Sequence, residues 1–199
     1  METQPESTND MIESDSLARR LAAGDLDAPR QLVEWHHAEL YRYALALLRD
    51  ASVAEDIVQG TFERALAALG KYPEERIRAL HLRPWLYRIA LNVVRNTWRD
   101  RRREVPVAQT PEKTDGRLDT GLGFASGSDR EAWMDALEAL GRLSERQRVA
   151  VTLRYLEDLP YARISEATGW PENTCRTLVR RGIARLGLLL GEPDGEGGR

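Results

Sequence analysis

Between Glu104 and Arg130 the chain loses the pattern of a folded segment. This stretch holds Pro106, Pro111, Gly116, Gly121, Gly123 and Gly127 with scattered Thr, Ser and Asp, and almost no apolar periodicity. Such a composition cannot bury enough apolar surface to offset the entropy of ordering it, so it predicts a flexible linker over 104–130. In a chain of 199 residues that break leaves two small units, 17–103 and 131–190, each too short for more than one core. An acidic, disordered tail is expected at 1–16 and a second disordered tail at 191–199.

Both units read as helical. From Leu17 to Arg103 the common residues are Ala, Leu, Arg and Glu, all good helix formers. Leu40, Tyr43, Ala44, Leu47 and Leu48 recur at helical spacing, as do Ile57, Val58, Phe62, Ala65, Leu66 and Leu69. A third segment sets Trp85, Ile89, Ala90, Val93 and Thr97 on one face and Arg88, Asn92, Arg95 and Arg99 on another, with Pro84 suited to its first turn. Gly24, the Arg49–Asp50 junction and Gly70–Pro73 separate these helices. Beyond the linker, Trp133, Leu137 and Leu140 fall at i, i+4, i+7, and Ser144 to Gln147 forms a capping box. A helix through Tyr155 is expected there. Next come a short helix opened by Pro160 and stopped at Thr168-Gly169, and a last helix from about Pro171 to Leu190. No strand pattern or internal repeat is present, so the fold class is all-α.

Several chemistries are excluded by simple counts. Cys175 is the single cysteine, which rules out a disulfide framework and any multi-cysteine zinc or iron–sulfur site; it reads as a small core residue. The first 18 residues carry no base, so they cannot be a signal peptide. No apolar run approaches the ~18 residues needed to cross a bilayer, and the expectation is a cytoplasmic protein with no membrane insertion. Glu34-x-x-His37 has the spacing of a di-iron carboxylate ligand pair, but such sites need two copies, and nothing acidic stands three residues before His81. His36 and His37 are therefore expected on a helix surface. With no glycine-rich phosphate loop and no nucleophile elbow, neither a cofactor nor an enzymatic activity is expected.

The net charge of −3 hides a segregated pattern. Residues 1–16 carry five acids and no base, whereas 83–103 carry seven Arg against Asp100 alone. Residues 174–190 carry Arg176, Arg180, Arg181 and Arg185 with no acid. Two basic stretches in an acidic chain point to two local contacts with a polyanion. The second lies in a helix-turn-helix pattern: Tyr161 to Thr168, a turn at Gly169, then a helix whose Cys175, Leu178, Val179 and Gly182 face inward. Asn173, Arg176, Thr177 and Arg180 then face outward near its start, where a recognition helix meets base edges and phosphates.

With these residues in view, the chain resembles the extracytoplasmic-function sigma factors of bacterial RNA polymerase. Gln31 to Ala44, Ala54-Glu-Asp-Ile-Val-Gln59 and Trp85-Leu-Tyr-Arg-Ile-Ala-Leu-Asn92 look like region 2 of that family. Leu143 to Arg148, Arg154-Tyr-Leu156, Tyr161-Ala-Arg-Ile164 and Pro171-Glu-Asn-Thr174 look like region 4. The resemblance implies two helical domains, a region 2 bundle and a region 4 helix-turn-helix. Its implied partners are the polymerase core, through the β′ clamp helices and the β flap, promoter DNA, and an anti-sigma factor.

By the same resemblance, Glu55, Asp56 and Gln59 would bind core polymerase. Arg88, Asn92, Arg95, Asn96, Arg99, Arg101, Arg102 and Arg103 would hold the minus-10 element and its displaced strand. Asn173, Thr174, Arg176, Thr177, Arg180 and Arg181 would read the minus-35 element. Some positions depart from the family pattern. Gly60 stands where an acid is usual, Asn96 where Asp is common, Leu178 and Ile183 where bases are frequent, and Trp98 and Trp170 where aliphatic residues stand. Trp98 and Trp170 are read as core packing. A conventional repressor would account for the helix-turn-helix but leave the Asp56/Gln59 helix and the first basic helix unexplained.

Overall fold

The computed structural model describes residues 16–103 and 127–190. The remainder of the expected acidic tail, linker and C-terminal tail lies outside the described residues. Helix α1 spans residues 16–22 and gives way to Gly24, whose φ of +73° is one that glycine adopts without strain. Helix α2 (Ala28–Leu48) stops at Arg49, which turns left-handed at φ 59°. Asp50 then caps α3 (Ala51–Leu69), its carboxylate accepting the Val53 N–H at 3.1 Å. A cap of this kind stabilises a helix by ~1 kcal/mol. A short α4 (Glu74–Arg78) leads to α5 (Leu82–Arg103).

Helix α5 is packed on three sides, by α2, α3 and α8. Its deepest stripe is Leu82, Leu86, Tyr87, Ala90, Leu91 and Val94. Trp85, Ile89, Val93 and Trp98 pack only partly against the core. The expected apolar face is thus one flank of the true one. With neighbours on three sides, the bulkiest aromatic need not lie deepest. His36 also departs from expectation. It is buried on α2, with Nδ1 2.5 Å from the Glu39 carboxylate.

The second half begins with α6 (Gly127–Gly141), ahead of the expected start at 131. The capping box opens α7 (Glu145–Val151): Ser144 Oγ accepts the Gln147 N–H at 3.4 Å, and Gln147 Oε1 accepts the Ser144 N–H at 3.2 Å. The chain widens into one π turn over Thr152–Leu156 before α8 (Tyr161–Thr168). Gly169, at φ 74°, makes the sharp turn into α9 (Glu172–Leu190). Cys175 and Val179 are buried as expected. Gly182 lets α9 approach α7 closely, since a Cβ there would fall 2.5 Å from Val151 Cγ2. No strand occurs among the described residues.

The two halves touch. Helix α2 packs on α6, α7 and the π turn, and α5 packs on α8, so a single apolar core runs through both. Linker composition predicts a tether and is silent on whether its two ends meet. The meeting is decided by side chains elsewhere in the chain.

Candidate polymerase and nucleic-acid interfaces

The α3 face lies apart from the contact between halves. Glu55, Asp56 and Gln59 are all exposed on it. Glu55 sits 3.3 Å from His37 Nε2, and the Gln59 amide donates to Glu63 at 3.0 Å. Asp56 makes no hydrogen bond or ion pair among the described residues. An acidic, solvated ridge of this kind complements an arginine-bearing partner.

The basic face of α5 is less free. Arg88 donates to the Glu166 backbone carbonyl through Nε at 2.7 Å and also through Nη2. The Arg95 guanidinium lies 5.8 Å from the centre of the Trp170 ring, and Arg146 lies 4.7 Å from it. Trp170 is therefore not only a wedge under its own turn, because it also meets α5. Asn92 is exposed, while Arg99 donates to Asn96 Oδ1 at 3.0 Å. Arg101 pairs with the α3 cap residue Asp50 at 3.0 Å. Arg102 and Arg103 end α5, and their side chains lie outside the described residues.

The face of α9 is open. Asn173, Arg176, Arg180 and Arg181 are exposed, with Thr174 and Thr177 half-buried beside them. Arg176 pairs with Glu172 and rests 4.5 Å from the Tyr161 ring centre. The Thr177 hydroxyl donates to the Asn173 carbonyl at 2.9 Å. Arg180 and Arg181 make no ion pair among the described residues, so both guanidinium groups are available to phosphate.

A fourth cluster was invisible in the sequence. Glu157, in the turn after α7, is fully buried against the first half. The Tyr87 hydroxyl donates to its Oε2 at 2.6 Å, and Arg42 approaches the same oxygen at 3.4 Å. Arg83 bridges the Glu39 carboxylate at 2.8 Å and the Glu157 backbone carbonyl at 2.7 Å. Burial pushes the Glu157 carboxyl up to about 7, against the Tyr87 hydrogen bond and the nearby arginines. Burial also acts to raise Glu39, but His36 and Arg83 outweigh it and hold that carboxyl low. In the sequence Glu157 is only an acid beside Asp158 in a turn, and no spacing marks it.

Comparison with known proteins agrees with this layout. Residues 32–104 match the family described as Sigma-70 region 2, and residues 133–186 match Sigma-70, region 4. The chain is 30% identical over 195 residues to the ECF RNA polymerase sigma factor BldN of Streptomyces coelicolor, covering 96% of this chain and 70% of that one. It is 31% identical over 172 residues to SigL of Mycobacterium tuberculosis, covering 86% and 93%. Among solved structures, the sigma factor RpoE of Bartonella quintana, determined with the anti-sigma factor NepR, aligns with a TM-score of 0.65 at 25% identity, covering 85% of this chain and all of that one. Helical units matching regions 2 and 4, in that order, define a sigma-70-type initiation factor. Within that class the chain belongs to the ECF RNA polymerase sigma factors, which direct transcription initiation.

Proposed function

We propose that this sigma factor divides its work among three faces. Glu55, Asp56 and Gln59 dock on the β′ clamp helices of core polymerase. Arg88, Asn92, Arg95, Asn96, Arg99 and Arg101 to Arg103 hold the minus-10 element and its displaced strand. Asn173, Thr174, Arg176, Thr177, Arg180 and Arg181 read the minus-35 element in the major groove, with region 4 resting on the β flap. Bond-making chemistry belongs to the polymerase, and the protein works in the cytoplasm under control of an anti-sigma factor. The RpoE relative, solved with such an inhibitor, supports that last assignment.

The observation that carries the reading is the separation of charge. The α3 face is acidic and unpaired at Asp56, whereas the arginines are gathered on α5 and α9, one in each half. Polar and charged faces of opposite sign suit a protein partner and a nucleic acid respectively. The test is Asp56→Arg combined with Gln59→Ala. The double variant should keep its helix content by circular dichroism, fail to co-purify with core polymerase, and give no run-off transcript. A folded double variant that still binds polymerase would overturn the docking assignment.

A further inference from the structure

The first turns of α8 and α9 meet around one guanidinium. Arg176 rests 4.5 Å from the centre of the Tyr161 ring, and its Nη2 donates to the Glu172 carboxylate one turn earlier on α9. The ring is itself held. Tyr161 opens α8 directly after Pro160, packs partly against the apolar core, and lies 5.7 Å from a second guanidinium, that of Arg154. Arg154 in turn pairs with Asp158 at 3.0 Å. Among the described residues, Arg180 and Arg181 rest on no aromatic ring and pair with no carboxylate.

That difference sorts the exposed arginines of α9 into two kinds. An unheld guanidinium samples many rotamers and meets phosphate wherever it lies, which needs little aim. Reading a base edge needs the planar fork directed at two acceptors at once. A guanidinium stacked on an aromatic face is already confined, so less freedom is lost when it binds. It also carries more N–H donors than Glu172 can occupy, and the remainder stay available to a base. We propose that Tyr161 sets specificity in minus-35 recognition as a positioning residue, its ring holding the Arg176 guanidinium in the orientation that reads one base pair. This rests on the reading of Arg176 as a minus-35 contact. Tyr161 acts through Arg176 and makes no DNA contact of its own. A promoter with the wrong base pair gains nothing from an aimed fork, so loosening Arg176 lowers transcription from the matched promoter alone.

The test uses holoenzyme assembled from core polymerase and the full-length chain, as wild type, Tyr161→Phe, Tyr161→Leu, Arg176→Ala, and Tyr161→Leu combined with Arg176→Ala. Run-off transcription at limiting holoenzyme, from promoters mutated one base pair at a time, measures preference across the minus-35 element. Tyr161→Phe keeps the ring and should match wild type. Tyr161→Leu keeps apolar bulk without the ring. It should lose about two- to fivefold in preference, the size of an exposed cation–π contact, and only at the base pair where Arg176→Ala acts. In the Arg176→Ala background, Tyr161→Leu should change nothing further. A loss shared by all promoters, or one that persists without Arg176, makes Tyr161 a packing residue and overturns the proposal. An equal loss in Tyr161→Phe places the hydroxyl on DNA and overturns it too. If Arg176→Ala shifts preference at no base pair, the minus-35 reading of Arg176 itself fails, and the proposal with it. If Tyr161→Leu does not fold, nitrogen relaxation of the wild-type protein decides. The Arg176 Nε–H should be more ordered than those of Arg180 and Arg181, and equal disorder overturns the positioning role.

Discussion

The two basic helices, α5 and α9, carry similar charge and stand in opposite circumstances. Helix α9 packs only on α6, α7 and α8 of its own half among the described elements that it contacts closely, and its Arg180 and Arg181 project into solvent. Helix α5 is the central element of region 2, and its Arg88 and Arg95 are engaged by the other half. Charge counted along a sequence marks both as contacts for a polyanion. Only packing tells that Arg88 and Arg95, though exposed, already have partners in the other half.

The largest expected effect separates the two helices by pH. The groups around the Glu157 carboxylate are Glu39 and Arg42 from α2, with His36 behind Glu39, and Arg83 and Tyr87 from α5. On its own side Arg154 and Asp158 pair with each other at 3.0 Å. With the halves apart the Glu157 carboxyl titrates near its ordinary 4.5, whereas burial in the closed contact between them pushes it up to about 7. A raised value means that the closed form holds the proton more tightly. Its contribution to closure is complete below the ordinary value and is lost as pH rises through about 7. The full span is roughly 3 kcal/mol. Wild type should therefore expand by scattering between pH 5.5 and 8, taken as about one unit or more either side of that value. Duplex binding by α9, whose Arg180 and Arg181 are exposed, should stay level. Glu157→Gln should lose the pH response. The same expansion in Glu157→Gln would assign the titration to another group.

A smaller effect tests whether α9 is as open as it looks. Arg176→Ala should weaken minus-35 duplex binding by ~1–3 kcal/mol and relax preference at one base pair. Arg181→Ala should weaken all sequences alike and lower the salt slope by about one. Neither change should depend on whether position 157 is Glu or Ala. Promoters mutated one base pair at a time, in both backgrounds, measure this. A dependence on position 157 would mean that closure reaches α9 as well.

Much of this architecture was legible in the sequence, and the reasons are local. The Asp50 cap, the Ser144–Gln147 box and the Gly169 turn each announce themselves within four residues. Short spacings also set which of the motif residues share a face of α3, α5 or α9. What was hidden is long-range. His36 is buried beside Glu39, which Arg83 of α5 holds from 44 residues away, and nothing near position 36 records that. Glu157 lies 70 residues from Tyr87 and 115 from Arg42, and a buried acid in a turn has the same local signature as a solvated one. The α5 stripe was displaced for the same reason, since its third neighbour, α8, comes from beyond the linker.

The last comparison uses one glycine from each half. At Gly182 an added methyl would meet Val151 Cγ2 at 2.5 Å, with Gln147 and Leu143 behind it at 3.7 Å. The α7–α9 pair must part to admit it, so Gly182→Ala should destabilise by ~1–3 kcal/mol. At Gly60 the nearest obstacle is Arg64 Nη1 at 2.8 Å, the far end of an exposed side chain that donates to the Gly60 carbonyl; Val93 is at an ordinary 3.9 Å. Arg64 can swing away, leaving the gain in helix propensity, which is up to ~1 kcal/mol. Gly60→Ala should therefore raise the melting temperature by about 2–4 °C for a chain of this size. Gln59 and Asp56 beside it are exposed and keep their places, so polymerase docking should be unchanged. Thermal melts of the two variants should move in opposite directions. A lower melting temperature for Gly60→Ala would mean that the α3–α5 approach at Val93 is closer than 3.9 Å suggests. Glycine would then be a packing requirement of region 2 as it is of region 4.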